Sequence, residues 1–539
     1  MSRPAWIAIA ASLALACSAA AEPTHAYRVT IRADTDGWPI SPLIYGGNHD
    51  LDGFEFDTAR RLGGNRLTAY NWETDASNAG KDYHHTSDGW LAHGKPTEWW
   101  RASIEIPAHG PARALRAFHD ESLARGAFSL VTVPMAGYVA ADGDGPVAAE
   151  EAAPSDRWAR VTPRGGPLGV AGPDLSDGLV HVDQLIEYLV GRYGRADSGR
   201  GVNAYSLDNE PGLWHETHPR VVRRPITCHE LIARSLETAA TIKRGDPSAE
   251  VLGPALWGMS GFTHLKDAPD WPRLQADSGS EWFIDAYLDA FRRASEMAGE
   301  PLLDALDVHW YAGPATERHG GLEAVVNAPR SLYDATYIEP TWIGKHFARF
   351  LPLLPRLQRS IDERNPGVGI AISEYDWLRT DSIHGGLAQV DALGAFGAAG
   401  VDLAFYHHRD GSGSAVYVAS AFRLYRDYDG AGGAFGDVGL PVERDDMSFG
   451  CAYASRDPDR GTIHLILSNR ALEDDIVVEA RLEGAPRPAR AEVWRLEGGS
   501  PELKPGRTIE DLDARATRLR VPALSAMHVI FHPRSGATP

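Results

Sequence analysis

Two short polar clusters, "YSLDNEPGLW" (205–214) and "ISEYDW" (372–377), interrupt apolar runs in this 539-residue chain. Each carries a glutamate, Glu210 and Glu374, where a strand-like run gives way to polar residues. Two carboxyls meeting at one site can divide the cleavage of an acetal between them. One protonates the departing oxygen, and the other, ionised, supports an oxocarbenium-like transition state, at about 5–5.5 Å separation if configuration is retained. Proline disfavours helical backbone at the residue before it, so Glu210, preceding Pro211, is expected at the extended end of a strand. Asn209 offers an amide to a sugar 2-hydroxyl. His309 and Tyr311 are expected to orient the Glu374 carboxylate, and Arg66 to keep it charged. Trp72, Trp214, Trp257, Trp310 and Trp377 lie near predicted strand ends and are candidates to stack on sugar rings. In a chain with 73 acidic residues some reach strand ends as caps or surface groups. Chemistry therefore depends on the elements that bring this pair together.

Those elements read as strands alternating with helices. The strand candidates are 41–48, 65–71, 128–135, 202–210, 249–255, 302–311, 367–375 and 400–408. Helical runs separate most of them. In "VHVDQLIEYLVGRYG", Val182, Leu185, Ile186, Leu189 and Val190 follow the spacing of one apolar helix face. This order predicts an α/β fold, a (β/α)₈ barrel, in which Glu210 and Glu374 end strands four and seven and face the same mouth. After about residue 435 the runs become short, β-rich and separated by turns, predicting an antiparallel β-sandwich. The expected organisation is a signal peptide at 1–21, sandwich-joining residues at 22–40, the barrel at 41–434 and the sandwich at 435–539.

A net charge of −20 argues against nucleic acid, whose phosphates need clustered Lys and Arg. The start, "MSRPAWIAIAASLALACSAAAEP", has the charge, apolar run and small-residue site of a secretory signal, and "ALAC" offers lipidation at Cys17 as a second reading. A secreted or periplasmic, monomeric protein without a transmembrane segment is expected. Cys228 and Cys451 are expected to be buried free thiols, since two distant cysteines define no disulfide framework. The segment "NWETDASNAGKDYHHTSD" (71–88) offers oxygen ligands for a structural calcium, chiefly Glu73, Asp75 and Asp82, with Asn78 and Asp88 nearby. Cleavage by two carboxyls needs no cofactor.

Four blocks, "GGNRLTAYNWETDASNAGKDYHHTSD" (63–88), "YSLDNEPGLWHETHP" (205–219), "ISEYDW" (372–377) and "LYRDYDGAGGAFGD" (424–437), resemble glycoside hydrolase family 44. The likeness runs in matching order from about residue 40 to the C-terminus. It implies a retaining barrel hydrolase with a sandwich, Glu210 as general acid/base and Glu374 as nucleophile. It further implies endo-action on β-1,4-glucans, including cellulose derivatives and xyloglucan, and lends some support to a calcium site. A mannan- or xylan-specific hydrolase on the same barrel, or a non-catalytic carbohydrate-binding lipoprotein, are the alternatives.

Overall fold

A computed structural model describes residues 26–48, 58–92, 106–311, 321–408, 415–510, 512 and 516–534. Eight parallel strands close into a barrel: β1 (Gly46–Asn48), β2 (Ala59–Leu62), β3 (Phe128–Val133), β4 (Ala204–Leu207), β5 (Glu250–Trp257), β6 (Ala305–Tyr311), β7 (Gly369–Asp376) and β8 (Leu403–Tyr406). Strands buried on both faces read as continuous apolar runs. Such runs fill β3, β4 and β8. Ala59, Leu130, Ala204, Leu252, Ala305, Ala371, Leu403 and Phe405 form one interior cluster. Ala59, Ala204 and Ala305 each begin their strand, so this packing plugs the amino-terminal end of the barrel and leaves polar side chains to the other end.

Helices wrap the outside with the predicted periodicity. In Val182–Tyr193, Val182, Leu185, Ile186 and Leu189 are buried. Helix Cys228–Gly245 starts from a capping box: Thr227 accepts from the Glu230 backbone, and the Glu230 carboxylate accepts from Thr227 N–H. Such a cap contributes about 1 kcal/mol.

The second strand differs from the sequence reading. Residues 65–68 form a helical turn, and the strand is the earlier "ARRL", Ala59–Leu62. Its two arginines disguise it, because both are buried and each finds its carboxylate far away in sequence. Arg60 reaches Glu121, at 3.2 Å. Arg61, on the alternate face, points into the barrel mouth.

A sheet of four strands and one of seven form the sandwich. Their core includes Val29, Ile31, Leu465, Val478, Leu519 and Val529. The strand Ala26–Arg32 lies between Val442–Arg444, antiparallel, and Ile476–Glu483, parallel. That parallel pair departs from the all-antiparallel expectation. A strand arriving from the other end of the chain needs no hairpin to reach its neighbour. The sandwich locks to the barrel helix Ile383–Ala399 through buried Asp391, which accepts hydrogen bonds from Arg470 and Tyr453.

Cys228 and Cys451 are free and buried. The amino-terminal stretch holding Cys17 lies outside the described residues. Among the described residues no helix is long and apolar enough to cross a membrane.

Candidate active site

Side chains from β4, β6 and β7 converge at the carboxyl end of the barrel. One oxygen of Glu210, one of Glu374 and a ring nitrogen of His309 all lie within 4.8 Å of one another. His309 Nδ1 is 3.0 Å from Glu210 Oε1 and 3.4 Å from Glu374 Oε2, while its Nε2 sits 3.1 Å from Ser373 Oγ. The histidine thus bridges both acids instead of serving Glu374 alone. The three groups are close enough to hold a metal, but both Glu374 oxygens already accept hydrogen bonds: Oε1 from Arg61 at 2.7 Å, Oε2 from Tyr311 at 2.5 Å.

Glu210 is not at the extended end of its strand. β4 stops at Leu207, and Asp208 and Glu210 both adopt left-handed backbone, with φ of 64° and 45°. Proline excluded the right-handed helical region, and the turn took the other alternative. Each such residue costs on the order of 1 kcal/mol and persists only where its surroundings over-determine it. Here Glu210 N–H donates to Ala255 O at 3.0 Å, and Leu213 N–H to Glu210 O at 2.8 Å. Asp208 supplies the rest. Its fully buried carboxylate accepts from Thr68 Oγ1 (2.6 Å), from Asn209 N (2.7 Å) and from the Met135 and Ala136 backbone N–H groups. Burial pushes Asp208 up to about 6 despite these donors.

The two catalytic candidates sit in opposite electrostatic states. Burial raises the Glu210 carboxyl, and the neighbouring Glu374 anion adds to that, while His309 and Arg61 oppose it. Burial also works against the Glu374 anion, but His309, His407 and Arg61, with the Tyr311 hydrogen bond, outweigh it and hold the group well below the usual carboxylate range. His309 is raised: the Glu374 and Glu210 charges overcome its own burial. One carboxyl is raised and its neighbour depressed, the direction of difference that general-acid and nucleophile roles require.

A scan against protein families matches residues 76–313 to the model described as "Glycoside hydrolase family 44". Over 516 residues the chain is 40% identical to the curated protein "Endoglucanase A" of Paenibacillus lautus, covering 93% of this chain and 72% of that protein. The chain belongs to glycoside hydrolase family 44. It is also 38% identical to "Beta-mannanase/endoglucanase A" of Caldicellulosiruptor saccharolyticus, spanning 38% of that longer protein. A solved Paenibacillus polymyxa xyloglucanase of the same family superposes with a TM-score of 0.89 at 39% identity, covering 94% of this chain and 99% of that one. Cel44A, an endoglucanase from Clostridium thermocellum, superposes at 0.86 and 38% identity, covering 94% and 100%.

This family 44 glycosidase corrects several sequence assignments. Arg66 does not approach Glu374. It lies in the Asn65–Thr68 turn and pairs with Asp88 at 2.6 Å. The cation beside Glu374 is Arg61, fully buried, which also donates to Asn48 Oδ1 at 3.0 Å and Asn209 Oδ1 at 2.9 Å. Nothing in the local pattern of "ARRL" marks this arginine as facing the barrel mouth. His407, the residue just past β8, is a second group that favours the Glu374 anion. Trp72, Trp214, Trp310 and Trp377 are at most 2% exposed and present no ring face on which a sugar could stack. Their large apolar area packs the barrel's outer layer. Trp214 Nε1–H additionally donates to Asn209 O at 3.0 Å, bracing the acid loop. Trp257, at the end of β5 and in register with His309, is partly exposed and stacks on Trp342 with centroids 6.2 Å apart. Asn209 is 2% exposed, its carbonyl taken by Arg61, and its amide donates to Asn65 Oδ1 at 3.2 Å.

Gly63 makes the Arg61 pose possible. A Cβ there would lie 2.2 Å from Arg61 Cζ and 2.5 Å from Nε. Gly63→Ala is therefore expected to push the guanidinium away from Glu374 and lower kcat about 100-fold, the scale of a misplacement near 1 Å. Steady-state kinetics alongside a thermal melt would separate this from loss of fold.

Proposed function

We propose that this family 44 hydrolase cleaves internal β-1,4 linkages of glucans, xyloglucan and soluble cellulose derivatives among them, with retention of configuration. Glu374 attacks the anomeric carbon while Glu210 gives its proton to the departing glycosidic oxygen, so the C–O bond breaks as a glycosyl ester to Glu374 forms. Glu210, now ionised, removes a proton from water, which attacks the same carbon and releases the sugar, restoring both carboxyls. The observation that carries this reading is the separation of at most 4.8 Å between oxygens of a raised and a depressed carboxyl. That gap is shorter than the roughly 6.5–9.5 Å that lets inverting enzymes place a water between their acids.

Tyr311 and Arg61 hold Glu374 in line, and His309 stabilises negative charge as it moves between the carboxyls. The remaining amide N–H of Asn209 is the candidate donor to the sugar 2-hydroxyl, and the Trp257–Trp342 pair the candidate stacking surface. The chain is read as a secreted or periplasmic enzyme acting as a monomer. The substrate assignment draws on relatives named endoglucanase and xyloglucanase. Reducing-sugar release from carboxymethylcellulose, xyloglucan and glucomannan tests it. Turnover on glucomannan alone would move the assignment to a mannanase, and no release from any of the three would refute the hydrolase.

Of the calcium candidates, Glu73 fits a hard cation best. Burial, together with Asp177 and Asp174, raises it to about 7, and it forms no ion pair among the described residues. Asp75 does not fit, because Tyr70 and Arg113 occupy its two oxygens, whereas exposed Asp82 accepts from Asn65 through one oxygen alone. Without a cation, deprotonating Glu73 costs more in the folded chain than in the unfolded one. Stability from this group should therefore decline between about pH 4.5 and 7. Calcium held at Glu73 would reverse that slope. The melting temperature at pH 7 is expected to rise by several degrees on adding calcium to chelator-treated protein, and not in Glu73→Gln. An identical response in that variant would remove Glu73 from the site.

A further inference from the structure

Against residues 134–138, whose Met135 and Ala136 N–H groups hold Asp208, lies a cavity of about 660 Å³. Its walls are helix Cys228–Gly245, the loop 221–226 and the short strand Trp158–Thr162. Four arginines line it, Arg160, Arg223, Arg224 and Arg234, against two acids, Glu230 and Glu237. Such a concentration of cations is unusual in a chain whose net charge is −20. Arg224 and Glu230 neutralise each other at 2.5 Å, and Glu230 is further committed to its helix cap. The other three arginines form no ion pair among the described residues. Arg223 donates only to the Ala152 and Ala153 carbonyls, and Arg234 only to Met135 O at 2.9 Å. A guanidinium has five N–H donors in a planar fork suited to a carboxylate. Most of those on Arg234 have no acceptor in the protein, although burial pulls against its charge.

We propose that this cavity binds a carboxylate-bearing sugar, a hexuronate unit, at a site separate from the barrel mouth. The carboxylate would lie among Arg234, Arg223 and Arg160. Tyr138, Val161 and Val222 would face the C–H surface of the ring, and Glu237 would accept from its hydroxyls. A fatty or other long apolar anion suits the walls less well, since it would desolvate Glu237 and offer it no donor. The volume accommodates one or two sugar rings. The site draws on none of the groups assigned to catalysis, so it stands whether or not the glucan assignment does.

Calorimetric titration of the full chain with glucuronate, glucose and inorganic phosphate tests the site. Glucuronate is expected to bind, glucose not to compete with it, and phosphate to bind more weakly. Arg160→Met and Arg223→Met should each weaken glucuronate about 10-fold, the loss expected for a charge-assisted hydrogen bond. Both should leave polysaccharide hydrolysis at the wild-type rate. Arg234→Met should weaken binding at least as much. If it fails to fold, the two exposed-side variants decide. Absent glucuronate binding, phosphate binding as tight as glucuronate, or unchanged affinity in Arg160→Met and Arg223→Met would each overturn the proposal.

Discussion

Replacing Glu374 by Gln is expected to lower kcat on xyloglucan by roughly 10⁵-fold, the scale on which removing a covalent nucleophile acts. The amide keeps the shape: its oxygen can still accept from Arg61 while its NH2 donates to the Tyr311 hydroxyl, so the loss should not be one of folding. It removes the anion that His309, His407 and Arg61 stabilise. Wild-type enzyme treated with a 2-deoxy-2-fluoro glucoside should carry the label on the peptide containing Glu374, and label on any other peptide would refute the role. A second consequence concerns its partner. The Glu374 charge is one of the causes that raise Glu210, so in Glu374→Gln the Glu210 carboxyl should titrate at lower pH. Carbon-13 NMR of labelled glutamate reads that shift, and an unmoved Glu210 would mean that the two carboxyls do not share a site.

Glu210→Ala should have the second largest effect, and one that depends on the leaving group. Proton donation by a positioned acid contributes about 10²–10⁴-fold, so hydrolysis of natural glycans should fall by that factor. Aryl glycosides with good leaving groups need no such help in the first step and should lose less, accumulating glycosyl-enzyme. Azide, a nucleophile that needs no general base, should restore part of their turnover. In the wild type, Glu210 must begin protonated. Its pKa lies above the ordinary value, so kcat/KM should hold past pH 4.5 and decline as pH rises through that raised pKa. The acid limb should appear only well below the usual carboxylate range, where Glu374 takes up a proton. In Glu210→Ala, assayed with an activated aryl glycoside, the alkaline limb should disappear. An alkaline limb that survives unchanged belongs to another group, and would remove Glu210 as the acid.

These effects depend on contacts with little signature in the chain. The four-residue strand "ARRL" has no alternation to mark it, and Arg61 acts only because Asn48, Asn209 and Glu374 arrive from three other strand ends. The stretch "NRLTAYN" has the composition of a strand, yet it turns helically because the barrel's second place is already filled. The tryptophans failed as sugar platforms for a related reason. Residue type is the same whether an indole faces a cleft or a helix, and burial alone separates Trp377 from Trp257.

What the sequence by itself determined was the periodic order of strands and helices, hence the barrel, and that Glu210 and Glu374 fall near the carboxyl ends of its fourth and seventh strands. Those features follow from local patterning, which survives in one dimension. The tertiary structure alone decided which cation serves Glu374, that His309 bridges both acids, and that Glu210 sits on left-handed backbone held by Asp208 and Ala255. Each of these rests on contacts between residues tens to hundreds apart, Asp208 being held in turn by Thr68, Met135 and Ala136. Their energies come from burial and from charges that meet only once the barrel closes.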